Sequence, residues 1–81
     1  MDAIALHILS PEGTLVETTA DLVTLPGIQA PFTVLPGHAA LVTALEKGDI
    51  RYVAGGQEHR QPIREGFVEV KDNTVKACVE I

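Results

Sequence analysis

The sequence predicts an all-β fold, a flattened β-sandwich or barrel of about ten short strands in a single domain. Apolar and polar residues alternate with a period of two in several segments, as in strands with one buried face. Turn-forming glycine, proline, aspartate and asparagine residues separate these segments at near-regular spacing. A chain of 81 residues forms one domain at most, and the core of such a small domain is thin.

The first third of the chain contains two strand segments separated by a turn. Residues 1–9 alternate isoleucine and leucine with other residues, and the Ser-Pro-Glu-Gly of residues 10–13 predicts a turn. Residues 14–25 are rich in β-branched side chains, which favour strands. An Ala-Asp step at 20–21 interrupts them, so we expect a kink or a break between two strands there.

The middle of the chain alternates loops and strands. Two prolines in residues 25–32 deny backbone donors to a sheet and predict a loop, and residues 32–35 form a short strand. Residues 49–54 alternate again, and Gly-Gly at 55–56 predicts a hairpin turn. The polar residues 57–61 then predict an exposed edge strand, which the following proline also fits.

The C-terminal segment reads as a final hairpin. Residues 66–71 alternate, Asp-Asn at 72–73 predicts the turn, and residues 74–81 return as a strand. We expect Val75, Ala77, Val79 and Ile81 to share one face.

Residues 38–48 fit two structures. Two Ala-Leu pairs, then Glu-Lys and a terminal glycine, are typical of a short helix, which residue propensity slightly favours. A period of two, with Leu41, Thr43 and Leu45 on one face, fits a strand instead.

Composition argues against several classes of partner. The net charge is −5 and the sequence pI is about 4.9, so the surface repels nucleic acid and anionic lipid. Two Phe, one Tyr and no Trp leave few rings for base stacking. No signal peptide and no apolar run of membrane-spanning length is present, so we expect no membrane insertion and a soluble, intracellular chain.

Reactive residues form no recognisable catalytic or metal site. His7, His38 and His59 lie far apart and lack ligand spacing, so we expect no metal. Cys78 is the single cysteine and is expected to be a small buried hydrophobic residue. Because no nucleophile, base and orienting group are grouped, we expect no catalysis, no cofactor, and a binding or structural role.

Two stretches resemble a known family. FTVLPGHAALVTALEKGDIRY (residues 32–52) is similar to a pattern of bacterial F-type ATP synthase epsilon subunits, in which Val-Leu-Pro-Gly-His-Ala precedes a Gly-x-Ile-Arg strand. EGFVEVKDNTV (65–75) is similar to a second pattern of that family, Gly-Gly-Phe-x-Glu-Val followed by Asn-x-Val, and LHILSPEG (6–13) to its first strand and turn. The resemblance covers essentially the whole chain. Four residues depart from the family pattern, which has Gly, Gly, Pro and Gly at these positions: Ala30, Thr33, Ala40 and Glu65.

The resemblance implies a role and a domain organisation. Residues 1–81 would be the N-terminal β-sandwich domain of the epsilon subunit, without the C-terminal helical hairpin, so inhibition of hydrolysis is expected to be absent. The chain would be a non-catalytic rotor subunit of the central stalk of a proton- or sodium-translocating synthase. It would be a monomer alone and present as one copy per complex. It would couple the gamma shaft to the c-ring, peripherally, at the cytoplasmic face of the bacterial inner membrane.

The resemblance also implies site residues. Ser10, His38 and Ala39 would contact the gamma subunit, and the family's extended backbone after Pro-Gly-His predicts a strand over Leu41–Leu45. The loop that would face the c-ring consists of Ile28, Gln29, Ala30, Pro31 and Phe32. Two simpler interpretations stay open, in which Phe32 belongs to the core and His38 is a solvated turn residue.

A different class of function is a small sandwich that binds carbohydrate or another small ligand. Such modules stack sugars on exposed aromatic rings, and this chain has only Phe32, Tyr52 and Phe67 to offer.

Overall fold

A computed structural model describes residues 3–81, which form nine strands in two sheets, close to the expected ten. The strands are β1 (Ile4–Ser10), β2 (Gly13–Ala20), β3 (Leu22–Leu25), β4 (Phe32–Val34), β5 (Leu41–Leu45), β6 (Gly48–Ala54), β7 (Gln57–Ile63), β8 (Glu65–Lys71) and β9 (Thr74–Glu80). One sheet has five strands in the order β2-β1-β9-β8-β5, and the other has four in the order β4-β3-β6-β7. The predicted β-sandwich is confirmed.

The core lies between the two sheets and follows from the alternation of the sequence. In β1, β8 and β9 the buried residues occur at every second position, because one face of each strand meets the opposite sheet. No polar or charged residue between 3 and 81 is buried. The buried residues are Ile4, Leu6, Ile8, Ala20, Val23, Leu25, Val34, Leu45, Ile50, Ile63, Val68, Val70, Val75, Ala77 and Val79.

The two predicted hairpin turns are present. Gly55 and Gly56 have φ of 61° and 77°, and Asp72 and Asn73 have φ of 51° and 58°. Two consecutive left-handed residues between antiparallel strands form the turn that matches strand twist, and asparagine and aspartate tolerate it best after glycine. The break at 20–21 is also confirmed, since β2 ends at Ala20 and β3 begins at Leu22.

The ambiguous segment at 38–48 contains a strand, not a helix. β5 pairs along its whole length with β8, from Leu41 opposite Val70 to Leu45 opposite Gly66. This pairing buries Leu45 and supplies backbone hydrogen bonds that a helix would have to give up. Tertiary pairing therefore overrides a weak helix propensity.

Two expectations at the C-terminus are wrong. Ile81 lies beyond the end of β9 and is 54% exposed, so it does not share the inner face. Cys78 is half-buried on the outer face of the five-stranded sheet, because its neighbours Ala77 and Val79 occupy the inner face. The period of two within a strand decides which apolar residue faces the core.

The strand register also defines the two ends of the sandwich. β1 and β9 run parallel, with Leu9 beside Cys78 near their last residues, and Leu45 at the end of β5 bridges Gly27. The loops at this end, called the Ser10 end, are 11–12, 26–31, 46–47 and the link at 64. The loops at the opposite end, called the His38 end, are 35–40, 55–56 and 72–73. Nothing in residues 3–81 forms a helix long and apolar enough to cross a bilayer.

A candidate docking face on the five-stranded sheet

The outer face of the five-stranded sheet carries a row of apolar side chains. Leu9 pairs with Cys78, Cys78 with Phe67, and Phe67 with Ala44, so these residues lie side by side across β1, β9, β8 and β5. Val42 lies two residues from Ala44 on the same face of β5. These five residues are called the apolar row.

The apolar row is accessible to solvent. Phe67 is 56% exposed and Val42 is 70% exposed, although both are large apolar side chains. A hollow of about 470 Å³ lies over the row near the Ser10 end, with Leu9, Phe67 and Cys78 in its lining. Contiguous exposed apolar surface of this kind is typical of a protein interface.

Negative charge is concentrated beside the hollow. Glu65 and Glu80 are direct cross-strand partners, both are exposed, and both line it. Like charges directly opposite each other in a sheet are destabilising. A basic residue of a partner would relieve this repulsion, so the face suits a partner surface that is apolar with a cation at one edge.

In the next row of the same face, which Val42 joins through its pairing with Glu69, each carboxylate has a partner. His7 lies 3.3 Å from the carboxylate of Glu17 (Nδ1 to Oε2), and Lys76 pairs across the strands with Glu69. This row lies on the His38 side of the apolar row. The two carboxylates that face each other, Glu65 and Glu80, therefore lie on one side of the apolar row only, and the two ends of the face differ in charge.

The outer face of the four-stranded sheet has a different character. The hydroxyls of Thr24 and Thr33 hydrogen-bond to each other at 3.0 Å. Arg60 contacts the carboxylates of Asp49 at 3.5 Å and Glu58 at 3.8 Å. Several polar groups on this face pair with one another, and none of the strand residues on it is an exposed large apolar side chain, so the five-stranded sheet is the better candidate for docking.

The three residues expected to contact gamma do not lie together. Ser10 ends β1 next to Leu9 and lines the hollow, where its hydroxyl accepts a hydrogen bond from the Glu12 N–H at 3.2 Å. His38 and Ala39 precede β5 at the opposite end of the same sheet. A strand of seven residues separates the ends by roughly 20 Å. A single surface that contains all three must extend along the whole face.

The turn that positions His38 is fixed by a residue that the sequence reasoning did not find. The Gly37 N–H donates a hydrogen bond of 2.7 Å to Oδ1 of Asn73, in the β8–β9 hairpin. His38 itself is half-buried, and its N–H donates to the Leu35 carbonyl at 3.1 Å. Its Nδ1 lies 2.7 Å from the carbonyl oxygen of Ala39. The only signal in the sequence was that asparagine suits a left-handed turn and carries a side-chain acceptor.

Asn73→Gly is expected to destabilise the chain by ~1 kcal/mol, because it removes this hydrogen bond but keeps a residue that accepts φ of 58°. Urea unfolding measures the change. Asp72→Gly is the matched control, since it alters the same turn without touching the Asn73 side chain. Equal effects of the two variants would contradict a role for the bond to Gly37.

The loop expected to face the c-ring lies at the Ser10 end. It is attached to β5 and to the residue after β5 by two hydrogen bonds. The Ile28 N–H donates to the Ala44 carbonyl at 3.0 Å, and the Glu46 N–H donates to the Pro26 carbonyl at 2.9 Å. Ile28 is 57% exposed. Gln29, Ala30 and Pro31 are exposed as well, whereas Phe32 is half-buried and packs against the core. Phe32 is therefore in large part a core residue, and the exposed tip ends before it.

Sequence reasoning missed the apolar row, although a signal existed. In EGFVEVK the buried positions are Val68 and Val70, so the alternation leaves Phe67 on the outer face. An aromatic residue at an outward position of a strand marks a candidate interface when other apolar side chains lie beside it.

The histidines are distributed over different parts of the fold. His7 lies on the outer face of the five-stranded sheet, His38 at the end named after it, and His59 on β7, where its ring stacks on Tyr52 at 5.2 Å. Among residues 3–81, no three His, Cys, Asp or Glu side chains are grouped as metal ligands.

Comparison with known proteins gives a consistent result. The family model described as "ATP synthase, Delta/Epsilon chain, beta-sandwich domain" matches residues 3–81. The ATP synthase epsilon chain of Anaeromyxobacter sp. (strain K) is 41% identical over 73 residues, which are 90% of this chain and 55% of that protein. The epsilon chain of Desulfitobacterium hafniense (strain DSM 10664 / DCB-2) is 41% identical over 70 residues, which are 86% and 53%. The chain thus spans about half the length of these curated relatives.

Solved structures share the fold. A chain of the Euglena gracilis mitochondrial ATP synthase (OSCP/F1/c-ring) superposes with a TM-score of 0.87 at 22% identity, covering 95% of this chain and 50% of that one. A chain of the Tetrahymena thermophila mitochondrial ATP synthase central stalk and c-ring superposes with a TM-score of 0.81 at 15% identity, covering 99% and 65%.

Proposed function

Since the chain belongs to the family of the ATP synthase delta/epsilon chain β-sandwich domain, we propose that it acts as this domain of an epsilon subunit in the central stalk of an ATP synthase. In this role it connects the rotating gamma shaft to the c-ring. The family match over residues 3–81 and the names of the relatives support the assignment.

The apolar row is the main observation that supports a contact with the gamma subunit. Phe67 and Val42 expose large apolar surface in the isolated chain, and Glu65 and Glu80 add a site for a basic residue. The gamma subunit would cover this face from end to end. Ser10 would then lie at one edge of the contact and His38 with Ala39 at the other.

The loop at the Ser10 end supplies a second surface. Ile28, Gln29, Ala30 and Pro31 project at the tip, and Phe32 anchors the loop in the core. This tip would meet the c-ring. The loop is attached to β5 through the bridge between Gly27 and Leu45. Force would therefore pass through β5 between the c-ring contact and the gamma contact.

The role needs stiffness and no chemistry. A close-packed sandwich whose core links both sheets transmits force with little deformation. The proposed subunit is non-catalytic and carries no cofactor. Its place would be peripheral, at the cytoplasmic face of the bacterial inner membrane, as one copy per complex.

Direct binding tests the proposal. The purified chain is mixed with the gamma subunit of the same organism and analysed by size exclusion with light scattering. A one-to-one complex is the expected result. If both proteins are folded and no complex forms, the proposed function is wrong.

The loop is tested separately with Ile28→Asp. This variant is expected to bind gamma with an affinity within about twofold of the unchanged chain, because Ile28 is not on the apolar row. It is expected to reduce recovery of the c-ring when gamma, the chain and detergent-solubilised c-ring are co-purified, since a desolvated carboxylate is costly in an interface. Normal c-ring recovery would exclude a contact at this tip.

The alternative, a carbohydrate-binding module, finds no support. Of the three aromatic side chains, only Phe67 is exposed, while Tyr52 stacks on His59 and Phe32 packs against the core. A single ring is not the platform that sugar stacking requires.

A further inference from the structure

Four strands lie at the edges of the two sheets, and three of them carry features that discourage pairing with another chain. β4 has only three residues. β7 carries Glu58, Arg60 and Pro62, and β2 carries Glu17 among three threonines. β5, with the sequence LVTAL, has no charge, proline or glycine. It is the edge that the sequence leaves unprotected.

The backbone of β5 directs free hydrogen-bonding groups away from the sheet. The Ala44 carbonyl accepts from the Ile28 N–H, so the backbone of Ala44 points away from β8. Alternate residues of a strand direct their backbone groups to the same side, so Val42 points outward too. Within residues 3–81, the N–H and C=O of Val42 and the N–H of Ala44 have no hydrogen-bond partner.

Space for another strand exists beside this edge. A groove runs between β5 and the loop, lined by Leu41, Val42 and Thr43 on one side and by Pro31 and Phe32 on the other. The loop itself covers only the last part of the edge, where Gly27 bridges Leu45. An added strand of about three or four residues would pair with the remaining length.

We propose that an extended segment of the docking partner adds to the five-stranded sheet as a sixth strand beside β5. Backbone pairing with an exposed sheet edge is a general mode of recognition that requires an extended peptide and little side-chain specificity. The three free groups of Val42 and Ala44 would provide its hydrogen bonds. This inference rests on the proposed function, because the segment belongs to the same partner.

The occupant follows from the continuity of the two surfaces. The side chain of Val42 is part of the apolar row, and its backbone is the free edge. A protein that covers the row therefore reaches the edge without a gap. The added strand would carry an apolar residue on the outer face beside Val42, which extends the apolar row onto the partner.

Amide exchange measured by NMR tests the proposal in the complex with gamma. In the free chain, the Val42 and Ala44 amides are expected to exchange fast, whereas the Thr43 amide, which faces β8, is expected to be slow. In the complex, the Val42 and Ala44 amides are expected to slow by at least about tenfold, the effect of one net hydrogen bond. If the complex forms but both amides stay fast, strand addition is wrong and the proposed function stands.

A pair of variants separates the contribution of the Val42 backbone to binding from that of its side chain. Val42→Pro removes the outward N–H and breaks no hydrogen bond within residues 3–81, so its melting temperature is expected to stay close to that of the unchanged chain. Its dissociation constant for gamma is expected to rise by about tenfold. Val42→Thr keeps the N–H and is expected to bind within about threefold of the unchanged chain. Equal binding by all three proteins would overturn the proposal.

Two other outcomes are decisive as well. If the chain forms a dimer on its own and the Val42 and Ala44 amides become protected as concentration rises, a second copy pairs with the edge and the proposal is wrong. If the unchanged chain and gamma do not associate, strand addition and the proposed function are both wrong.

Discussion

Phe67→Asp is expected to weaken binding of the chain to the gamma subunit by at least about a hundredfold, or ~2.7 kcal/mol, while the chain stays folded. Phe67 is 56% exposed and is not part of the core, so its loss leaves no internal cavity. In the complex, the new carboxylate would be desolvated within the apolar row and would add to the negative charge of Glu65 and Glu80. Isothermal titration calorimetry measures the affinity, and circular dichroism checks the fold.

Ile28→Asp is the matched control for this prediction. It introduces the same charge at a residue of nearly the same exposure, 57% against 56%, but away from the apolar row. Only Phe67→Asp is expected to reduce the affinity for gamma. Equal losses would point to the overall charge of −5 rather than to the docking face. An unaffected Phe67→Asp would remove the apolar row from the interface.

The sequence was a good guide wherever a structural feature depends on neighbouring residues. Strand boundaries, the break after Ala20, and the turns at 55–56 and 72–73 follow from alternation and from residues that accept a left-handed backbone. Residues 38–48 show the limit of this approach. Their helix propensity is a local property, and the pairing of β5 with β8 that overrides it joins distant parts of the chain.

The candidate site was harder to predict for the same reason. Leu9 and Phe67 are far apart in sequence and come to lie one strand apart only because β9 pairs with both β1 and β8. The parallel pairing of β1 and β9 also places Ser10 and His38 at opposite ends of the sheet, which no local pattern contains. The family resemblance named single residues, whereas the register shows the surface that connects them.

Gly66→Ala is expected to destabilise the chain by ~2–3 kcal/mol, a large part of the stability of a domain of this size. Gly66 pairs with Val79 where β8 meets β9. A Cβ at this position would collide with the carbonyl oxygen of Cys78 and would lie 2.9 Å from the Cα of Val79. Both are backbone atoms of a central strand, so β9 itself would have to move. The gain of ~0.4–1 kcal/mol from restricting the unfolded chain is too small to offset this.

Gly48→Ala shows whether the steric argument is correct. Gly48 is also a strand residue, but a Cβ there would meet side-chain atoms of Pro26, at 3.0 and 3.4 Å, rather than backbone. A small shift of the proline ring relieves this contact, so the expected cost stays below ~1 kcal/mol. Urea unfolding of the free chain compares the two variants. Similar midpoints would mean that β8 and β9 can separate at Gly66 without loss, and would contradict the steric argument.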